Sequence, residues 1–361
     1  MPPMPAARLR PIPADARSVL VVLPNWVGDV VMATPALRAL RAHVGAGGAV
    51  VGLGRPYVAE VLEGSRLLDA FRTHRPEVAR RPSGLIAAAV ALRRGRFDLA
   101  VLLPNSFHTA LVAWLAGVGE RVGYARNNRG PLLTSRLAPL ATNGAFVPTP
   151  IVGEYLQLVY AVGCGEEAWR LELASTPRDE EQADGAWAAL GLRPGGRVIA
   201  LNPGGAFGAA KLWPEEHWAV LARRIAGELD HDVLVLCGPE ERERAAAIVR
   251  LAGDRRVASL ADRPVSIGLT KACVRRSRLL VSTDSGARHF GAAFGVPVVA
   301  LFGPTHIAWS DTRYARERKL QIPLDCGPCQ ERVCPLQHHR CMRELDPESV
   351  FHTVVDLLGE T

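Results

Sequence analysis

The chain has 361 residues, 48% hydrophobic and 22% charged, enough to bury a large core, and its length favours two domains. Seven cysteines over this length exclude a disulfide scaffold. With 43 Lys and Arg against 36 Asp and Glu, the formal charge of +7 favours anionic partners. Nucleic acid is disfavoured among them, because neither aromatic interleaving nor a recognisable binding module accompanies the charge.

Residues 1–17 carry Pro2, Pro3, Pro5, Pro11 and Pro13 without a continuous apolar stretch, so they read as a flexible arm and not as a signal peptide. The longest apolar runs, 84–92 and 290–303, fall short of the roughly 18 to 20 residues of a membrane span. No transmembrane helix is expected, and the cytoplasm is the default address. Short β-branched runs then alternate with stretches of helical period, the α/β pattern. Strands are predicted at 18–23, 49–53, 97–103 and 121–124, with helices at 28–43, 83–93 and 106–116. A helix at 154–163 and a polar, Pro-containing linker at 174–184 precede a second strand series at 197–201, 232–237, 257–260, 279–282 and 296–302. Two doubly wound parallel sheets follow, with ligands expected beyond the carboxyl ends of their strands.

Five loops at those ends carry candidate chemistry. In 23–35, LPNWVGDVVMATP, Asp29 stands at a helix start. It is either a cap or a general base, and the helix dipole makes it a base that acts only late. Pro35 moves the regular helix start to Thr34 as cap with Pro35 as first residue. In 202–214, NPGGAFGAAKLWP, Gly204 and Gly205 let backbone N–H groups approach a phosphate and Lys211 adds a mobile charge, unless the segment is a surface turn. Its spacing is neither that of a Walker loop nor that of a dinucleotide fingerprint. In 279–290, LLVSTDSGARHF, Asp284 and His289 form a cap and a structural histidine; alternatively, the N–H groups of Ser285 and Gly286 hold a diphosphate while Asp284 orders the loop or meets donor hydroxyls. Glu240 and Glu241, just past the strand at 232–237, are first-turn helix acids or acceptors for a ribose diol. Thr305, in Gly303-Pro304-Thr305-His306, completes the phosphate site.

Taken in order, these loops resemble glycosyltransferase family nine, the ADP-heptose:lipopolysaccharide heptosyltransferases. The segment from Leu23, LPNWVGDVVMATPALRALR, is similar to the family's amino-terminal segment and places its Gly-Asp pair on Gly28 and Asp29. Residues 202–218 resemble the PG…FG.AK.WP..HW segment of type II members, placing the family lysine on Lys211. The stretch STDSGARHFGAAFGVPVVALFGP from Ser282 resembles the family's third motif, placing its aspartate on Asp284 and its histidine on His289. Arg288 departs from the apolar residue usual before that histidine, 261–270 lacks the usual Thr-Ser-Leu stretch, and 124–150 matches no family pattern.

The resemblance implies a GT-B fold of two facing Rossmann-like domains with a cleft between them. An acceptor domain at 18–173 and a nucleotide-sugar domain at 185–345 are followed by a helix at 346–361 that crosses back to the first. It implies inverting, metal-independent transfer of L-glycero-D-manno-heptose from ADP-heptose to the inner core of lipopolysaccharide, the second heptose in a type II enzyme. Asp29 is then the base, and Lys211 with the helix start at Ser285 and Gly286 stabilises departing ADP. Donor contacts fall on Gly204, Gly205, Lys211, Glu240, Glu241, Asp284, Ser285, Gly286, His289 and Thr305. Acceptor contacts fall on Asn25, Trp26, Gly28 and Asn105; Arg126 and Arg129, in the stretch without a family pattern, are either contacts for an anionic acceptor or an exposed basic face. No cofactor is required, the acceptor is a lipid A–Kdo glycolipid met at the inner face of the membrane, and a monomer is favoured. The Asp230-His231-Asp232 triplet precedes a strand and does not read as a metal-binding sugar-nucleotide motif. Cys326, Cys329, Cys334 and Cys341 are open to three readings: structural zinc with His338 or His339 as substitute ligands, reducible disulfides, or free thiols. The rival functions are a family-nine transferase with another nucleotide sugar or acceptor, a nucleotide-sugar epimerase, and a non-catalytic ADP-sugar-binding protein.

Overall fold

The computed structural model describes residues 6–7, 17–75, 81–142 and 145–360. It divides into two compact units: Met1–Leu171 with Ala308–Thr312, and Glu172–Ile307 with Arg313–Thr361. The arm read at 1–17 lies outside the described residues, apart from Arg17 and a two-residue strand, β1 (Ala6–Ala7).

The first unit grows from β2 (Ser18–Val22), whose β-branched and leucine side chains are buried from Val19 onward. It pairs in parallel with β3 (Ala49–Gly54) on one side and β5 (Leu99–Leu102) on the other. Outward from these lie β4 (Ala70–Thr73) on the first edge, and β6 (Glu120–Tyr124) and β7 (Ser135–Leu137) on the second. All of these pair in parallel, while β1 adds antiparallel to β7, and β8 (Ala141–Thr142) and β9 (Ala145–Phe146) form a separate antiparallel pair. Five of the unit's helices are α1 (Val27–Met32), α2 (Thr34–Val44), α3 (Pro56–Leu62), α4 (Pro82–Arg93) and α5 (Phe107–Leu115). A sixth, α6 (Ile151–Tyr160), packs on α2. The helix predicted at 28–43 is two helices. Ala33 separates them, Thr34 Oγ1 donates to Val31 O at 2.7 Å, and Pro35 sits in the first turn of the second, where its missing N–H costs nothing.

In the second unit the parallel order is β12 (Val257–Ser259), β11 (Asp232–Val235), β10 (Val198–Asn202), β13 (Leu279–Thr283), β14 (Val298–Phe302), β15 (Glu317–Gln321). The order reverses between β10 and β13, whose register sets Asn202 beside Ser282. The loops after these two strands are therefore neighbours at a topological switch point. The segment predicted as a linker at 174–184 is mostly helix, α7 (Pro177–Leu190). Thr176 Oγ1 accepts from the Asp179 N–H and Asp179 returns the bond to Thr176 N–H, so the proline that looked like a breaker occupies the first helical position of a capping box. Four longer helices follow: α8 (Glu215–Leu229), α9 (Arg242–Ala252), α10 (Ile267–Arg276) and α11 (Gly286–Phe294). They are followed by the short α12 (Arg340–Arg343) and the last helix, α13 (Pro347–Gly359). The resemblance has this last helix returning to the first unit; here it is part of the second, packed on α8 and on β13, β14 and β15. The edge strands β4 and β15 and the three-residue β7 escape the pattern because their short, polar sequences, such as ERKLQ in β15, lack apolar alternation. Among the described residues no helix is long and apolar enough to cross a membrane.

Helix α11 lies close on the second sheet at Gly291, where an added Cβ would stand 2.4 Å from Val298 Cγ2. We expect Gly291→Ala to cost about 1–3 kcal/mol through overpacking, read as a lower urea midpoint at unchanged m-value.

Candidate functional site

In the second unit the carboxyl end of β13 is built around one buried carboxylate. Asp284 Oδ2 accepts from Lys211 Nζ at 2.6 Å and from Thr305 Oγ1 at 2.7 Å, and Oδ1 accepts from Arg288 Nη1 at 2.9 Å. Lys211 Nζ also donates to the Asp284 carbonyl at 2.8 Å. Arg288, fully buried against the Phe302 ring, donates through Nε to Glu317 Oε1 at 2.6 Å, and Lys319 Nζ lies 3.4 Å from Glu317 Oε2. Burial alone would raise the Asp284 pKa, but the charges of Lys211 and Arg288 and the bonds from Lys211 and Thr305 hold it well below the usual carboxylate range. His289 is buried with Nδ1 unpartnered; desolvation first, and the Arg288 charge second, hold its pKa well below the ordinary imidazole value.

These contacts revise several expectations. Lys211 is not a mobile cation but a buried member of the network, and Thr305 is turned toward Asp284. Arg288, which the sequence marked only as a departure, ties Asp284 to a strand that the pattern missed. Ser285 and Gly286 are half-buried and open α11, whose first-turn N–H groups have no intrahelical partners. Ser285 Oγ accepts from Asn202 Nδ2 at 2.8 Å, so β10 and β13 are pinned where the two loops diverge.

The Gly-rich loop is held by Glu241, whose Oε1 accepts from the Gly205 N–H and Oε2 from the Gly238 N–H, both at 2.8 Å. A Cβ on Gly204 would stand 2.0 Å from that carboxylate, so any side chain there would push Glu241 off the loop. Each carboxylate oxygen keeps a lone pair, so Glu241 can still accept from a diol. Glu240 is exposed. A cavity of about 510 Å³ beside this loop is lined by Trp213, His217, Arg244 and Arg343 among others, and holds none of the predicted donor residues.

In the first unit the loop after β2 leaves Asn25 and Trp26 exposed and Gly28 buried. Asn25 O accepts from the Tyr57 hydroxyl. The N-cap of α1 is Trp26, so Asp29, half-buried, is a first-turn residue and not the cap itself. Burial pushes the Tyr155 phenol well up, and the negative charges of Asp29 and then Glu154 add to it. Arg126 pairs with Glu154 Oε1 at 3.3 Å and lies over the Phe146 ring. Arg129 has no exposed surface: Nε donates to Tyr124 O at 2.8 Å, Nη2 to Asn105 Oδ1 at 2.9 Å, and Nη1 to Pro104 O. Burial lowers its pKa to about 10. Arg129 and the side-chain oxygen of Asn105 thus brace the ends of β5 and β6, and only Arg126 of the two arginines keeps accessible surface. Sequence offered no signal for Glu154 or Tyr155, which are charged or polar positions inside an apolar helix.

All four tail cysteines are free thiols, with Cys326 Sγ 4.0 Å from His338 Nε2 and Cys334 Sγ accepting from the His339 N–H. Among the described residues no group of three or more His, Cys, Asp or Glu is arranged to hold a metal ion.

Residues 86–340 match the family model for glycosyltransferase family 9 (heptosyltransferase). The lipooligosaccharide heptosyltransferase 2 of Campylobacter jejuni is 25% identical over 350 residues, covering 94% of this chain and 98% of that protein. ADP-heptose LPS heptosyltransferase II of Escherichia coli superposes with a TM-score of 0.77 at 23% identity, over 95% of this chain and 99% of that one. The E. coli heptosyltransferase WaaC with ADP superposes with a TM-score of 0.72 at 18% identity, over 94% of this chain and 99% of that one. The α/β fold is that of the GT-B class.

Two outcomes test the second-unit geometry. Asp284→Asn leaves Lys211 and Arg288 buried without their shared anion and is expected to cost about 3–5 kcal/mol in urea unfolding, whereas exposed Glu240→Gln stays near wild type. His289 is neutral when folded and takes a proton when unfolded. Stability is therefore full above the ordinary histidine pKa and falls as pH drops below it, with a one-proton slope of about 1.4 kcal/mol per pH unit. Unfolding titrations between pH 7 and 5 should lose that slope in His289→Gln.

Proposed function

The chain belongs to glycosyltransferase family 9, the heptosyltransferase family, and on that premise we propose that it transfers heptose from ADP-heptose to the inner core of lipopolysaccharide, with inversion and without a metal ion. The observation that carries the donor half is the Asp284 cluster with the adjoining start of α11. Lys211, Arg288 and Lys319 against Asp284 and Glu317 make a fixed array with one surplus positive charge, one residue ahead of a helix N-terminus. Such an array stabilises charge as it accumulates on a departing diphosphate, and because its members are already hydrogen-bonded it costs little reorganisation during the reaction. The orienting work of Asp284 is done on Lys211 and not by direct attack on anything. Glu241 fixes the Gly-rich loop by accepting the Gly205 N–H, and its free lone pairs accept from the ribose. The relatives' printed names, heptosyltransferase 2 and II, support the type II assignment and the second heptose as product.

For the acceptor half, Asp29 is the general base. Inversion requires the acceptor hydroxyl to attack the anomeric carbon on the face opposite the leaving group. In an oxocarbenium-like transition state that hydroxyl becomes acidic only as the new bond forms, so a weakly basic carboxylate in a helix first turn suffices. The proton passes to Asp29, the new glycosidic bond forms, and the electron pair of the broken bond leaves with ADP. Exposed Trp26 and Asn25 offer a stacking surface and polar contacts for a sugar, and Arg126 offers a positive charge for an anionic core.

The test is mass spectrometry of a reaction of ADP-L-glycero-D-manno-heptose with a lipid A–Kdo acceptor already carrying one heptose. A product heavier by one heptose is expected, reduced about 10²–10⁴-fold in rate in Asp29→Ala with donor binding unchanged. An unmodified acceptor while ADP still raises the melting temperature would refute the acceptor assignment, and unchanged turnover in Asp29→Ala would refute the base.

A further inference from the structure

We propose that the outer face of α4 and the end of α5 form the surface by which the first unit rests on an anionic lipid bilayer. The proposal rests on the reading of a lipid-anchored acceptor and goes beyond it by assigning the docking surface. Helix α4, PSGLIAAAVALR, is apolar on two sides. One side is consumed by the fold: Ala89 and Leu92 are buried, and Leu85 and Ala88 pack toward the first unit's core. The opposite side, at helical spacing, is Ser83, Ile86, Ala87, Val90 and Ala91, all exposed, with Ile86 59% and Val90 50% accessible. A helix whose outer face meets only water carries polar residues there; this one carries a single serine.

The stripe is bracketed by positive charge. Arg81 precedes it, Arg93, Arg94 and Arg96 follow it, all four are exposed, and no Asp or Glu occurs from 81 to 96. The next carboxylate, Asp98, is occupied by the backbone N–H groups of Arg17 and Ser18, at 2.8 and 2.9 Å. The neighbouring helix α5 packs on α4 and lies in a stretch, 99–119, without a charged Asp, Glu, Lys or Arg. Its end exposes Trp114, 49% accessible, and Leu115. The Arg93 guanidinium lies 3.7 Å from where a Cβ on Gly117 would stand, which brings the basic end of α4 beside the Trp114 end of α5. Exposed aliphatic side chains, an interfacial tryptophan and unopposed arginines together fit the headgroup boundary of an anionic leaflet: the apolar groups enter the acyl edge while the guanidinium groups meet phosphates. The patch is too small for apolar burial alone to hold the protein, so attachment depends on both components and is screened by salt.

The full-length chain is tested by co-sedimentation with vesicles of phosphatidylglycerol and phosphatidylethanolamine, against vesicles of phosphatidylcholine alone. Binding to the anionic vesicles is expected, with little to phosphatidylcholine, and the partition should fall about tenfold or more between about 0.05 and about 0.5 M salt. Ile86→Glu with Val90→Glu, and separately Arg93→Glu with Arg94→Glu, should each reduce it about tenfold. The pair Arg93→Lys with Arg94→Lys should retain it, which separates lost charge from lost folding. Transfer to a deacylated, water-soluble acceptor should be unchanged in these variants, while transfer to an acceptor embedded in anionic vesicles falls. Wild-type vesicle binding in both Glu variants would overturn the proposal, as would altered self-association in sedimentation with vesicle binding intact. Vesicle binding as described with no heptose transfer in any format would leave the surface standing and sink the catalytic reading, so the two fail separately.

Discussion

The second unit depends on a carboxylate that would be prohibitively expensive to bury if it stood alone. Asp284 is taken out of water at the end of a central strand, and the cost is offset only because Lys211, Arg288 and Thr305 reach it from three different segments. Arg288 in turn needs Glu317, and Glu317 is met by Lys319. No member of this chain of charges can be removed without stranding the next one. The network therefore fixes, in one geometry, the loop after β10, the start of α11, the loop after β14 and the edge strand β15. The first three of these segments lie beyond the carboxyl ends of the strands, where ligands bind on such a sheet. For the proposed transfer, rigidity there is useful because an array that is already oriented need not be ordered while charge develops.

A similar device appears in the first unit with a different accounting of hydrogen bonds. Arg129 is buried without a paired carboxylate and instead fills the carbonyls of Tyr124, Pro104 and Leu102, with the Asn105 side chain as a further acceptor. It gathers the outgoing ends of β5 and β6 under one guanidinium, whose five donors and planar fork suit several convergent oxygens better than an ammonium would. A lysine at that position, with three donors, could not meet all four of these oxygens. Glu154 performs the complementary task on α6, accepting from Thr149 and Arg126 while its carbonyl accepts from Tyr124. Buried arginines thus set strand ends in both units, with charge pairing in one and carbonyl capture in the other.

Charge has a separate use on the outside. Many of the Lys and Arg residues are spent in surface ion pairs such as Arg276 with Glu180 and Asp184, or Arg193 with Asp230 and Asp232, which add little stability individually. The arginines flanking α4 differ because the span 81–96 contains no Asp or Glu and an apolar stripe lies between them. The basic residues are thereby divided between neutralised pairs and a concentrated patch, which the net charge of +7 cannot distinguish.

What the sequence by itself determined was the part written in local periodicity and in ordered motifs. Buried runs such as SVLVV, VIALN and VVALF announce central parallel strands because both faces must be apolar. The glycines of 202–214 and the STDSG segment mark the loops that matter, since close backbone approach and an open helix start leave recognisable residue types. What only the tertiary structure decided was the partner of each polar group. Lys211 read as mobile because nothing in its neighbourhood showed that Asp284, 73 positions away, would accept its charge. Arg129 read as a ligand contact because a basic residue in a loop is usually exposed, and only the meeting of two strand ends makes burial affordable. Arg288 and Glu317 lie on a helix and an edge strand that have no shared pattern, and β15 itself carries no alternation to predict. Pairing across the chain is set by strand order, which local sequence does not encode; the residues were visible, but the geometry that gives them a task arises only when the sheet is assembled.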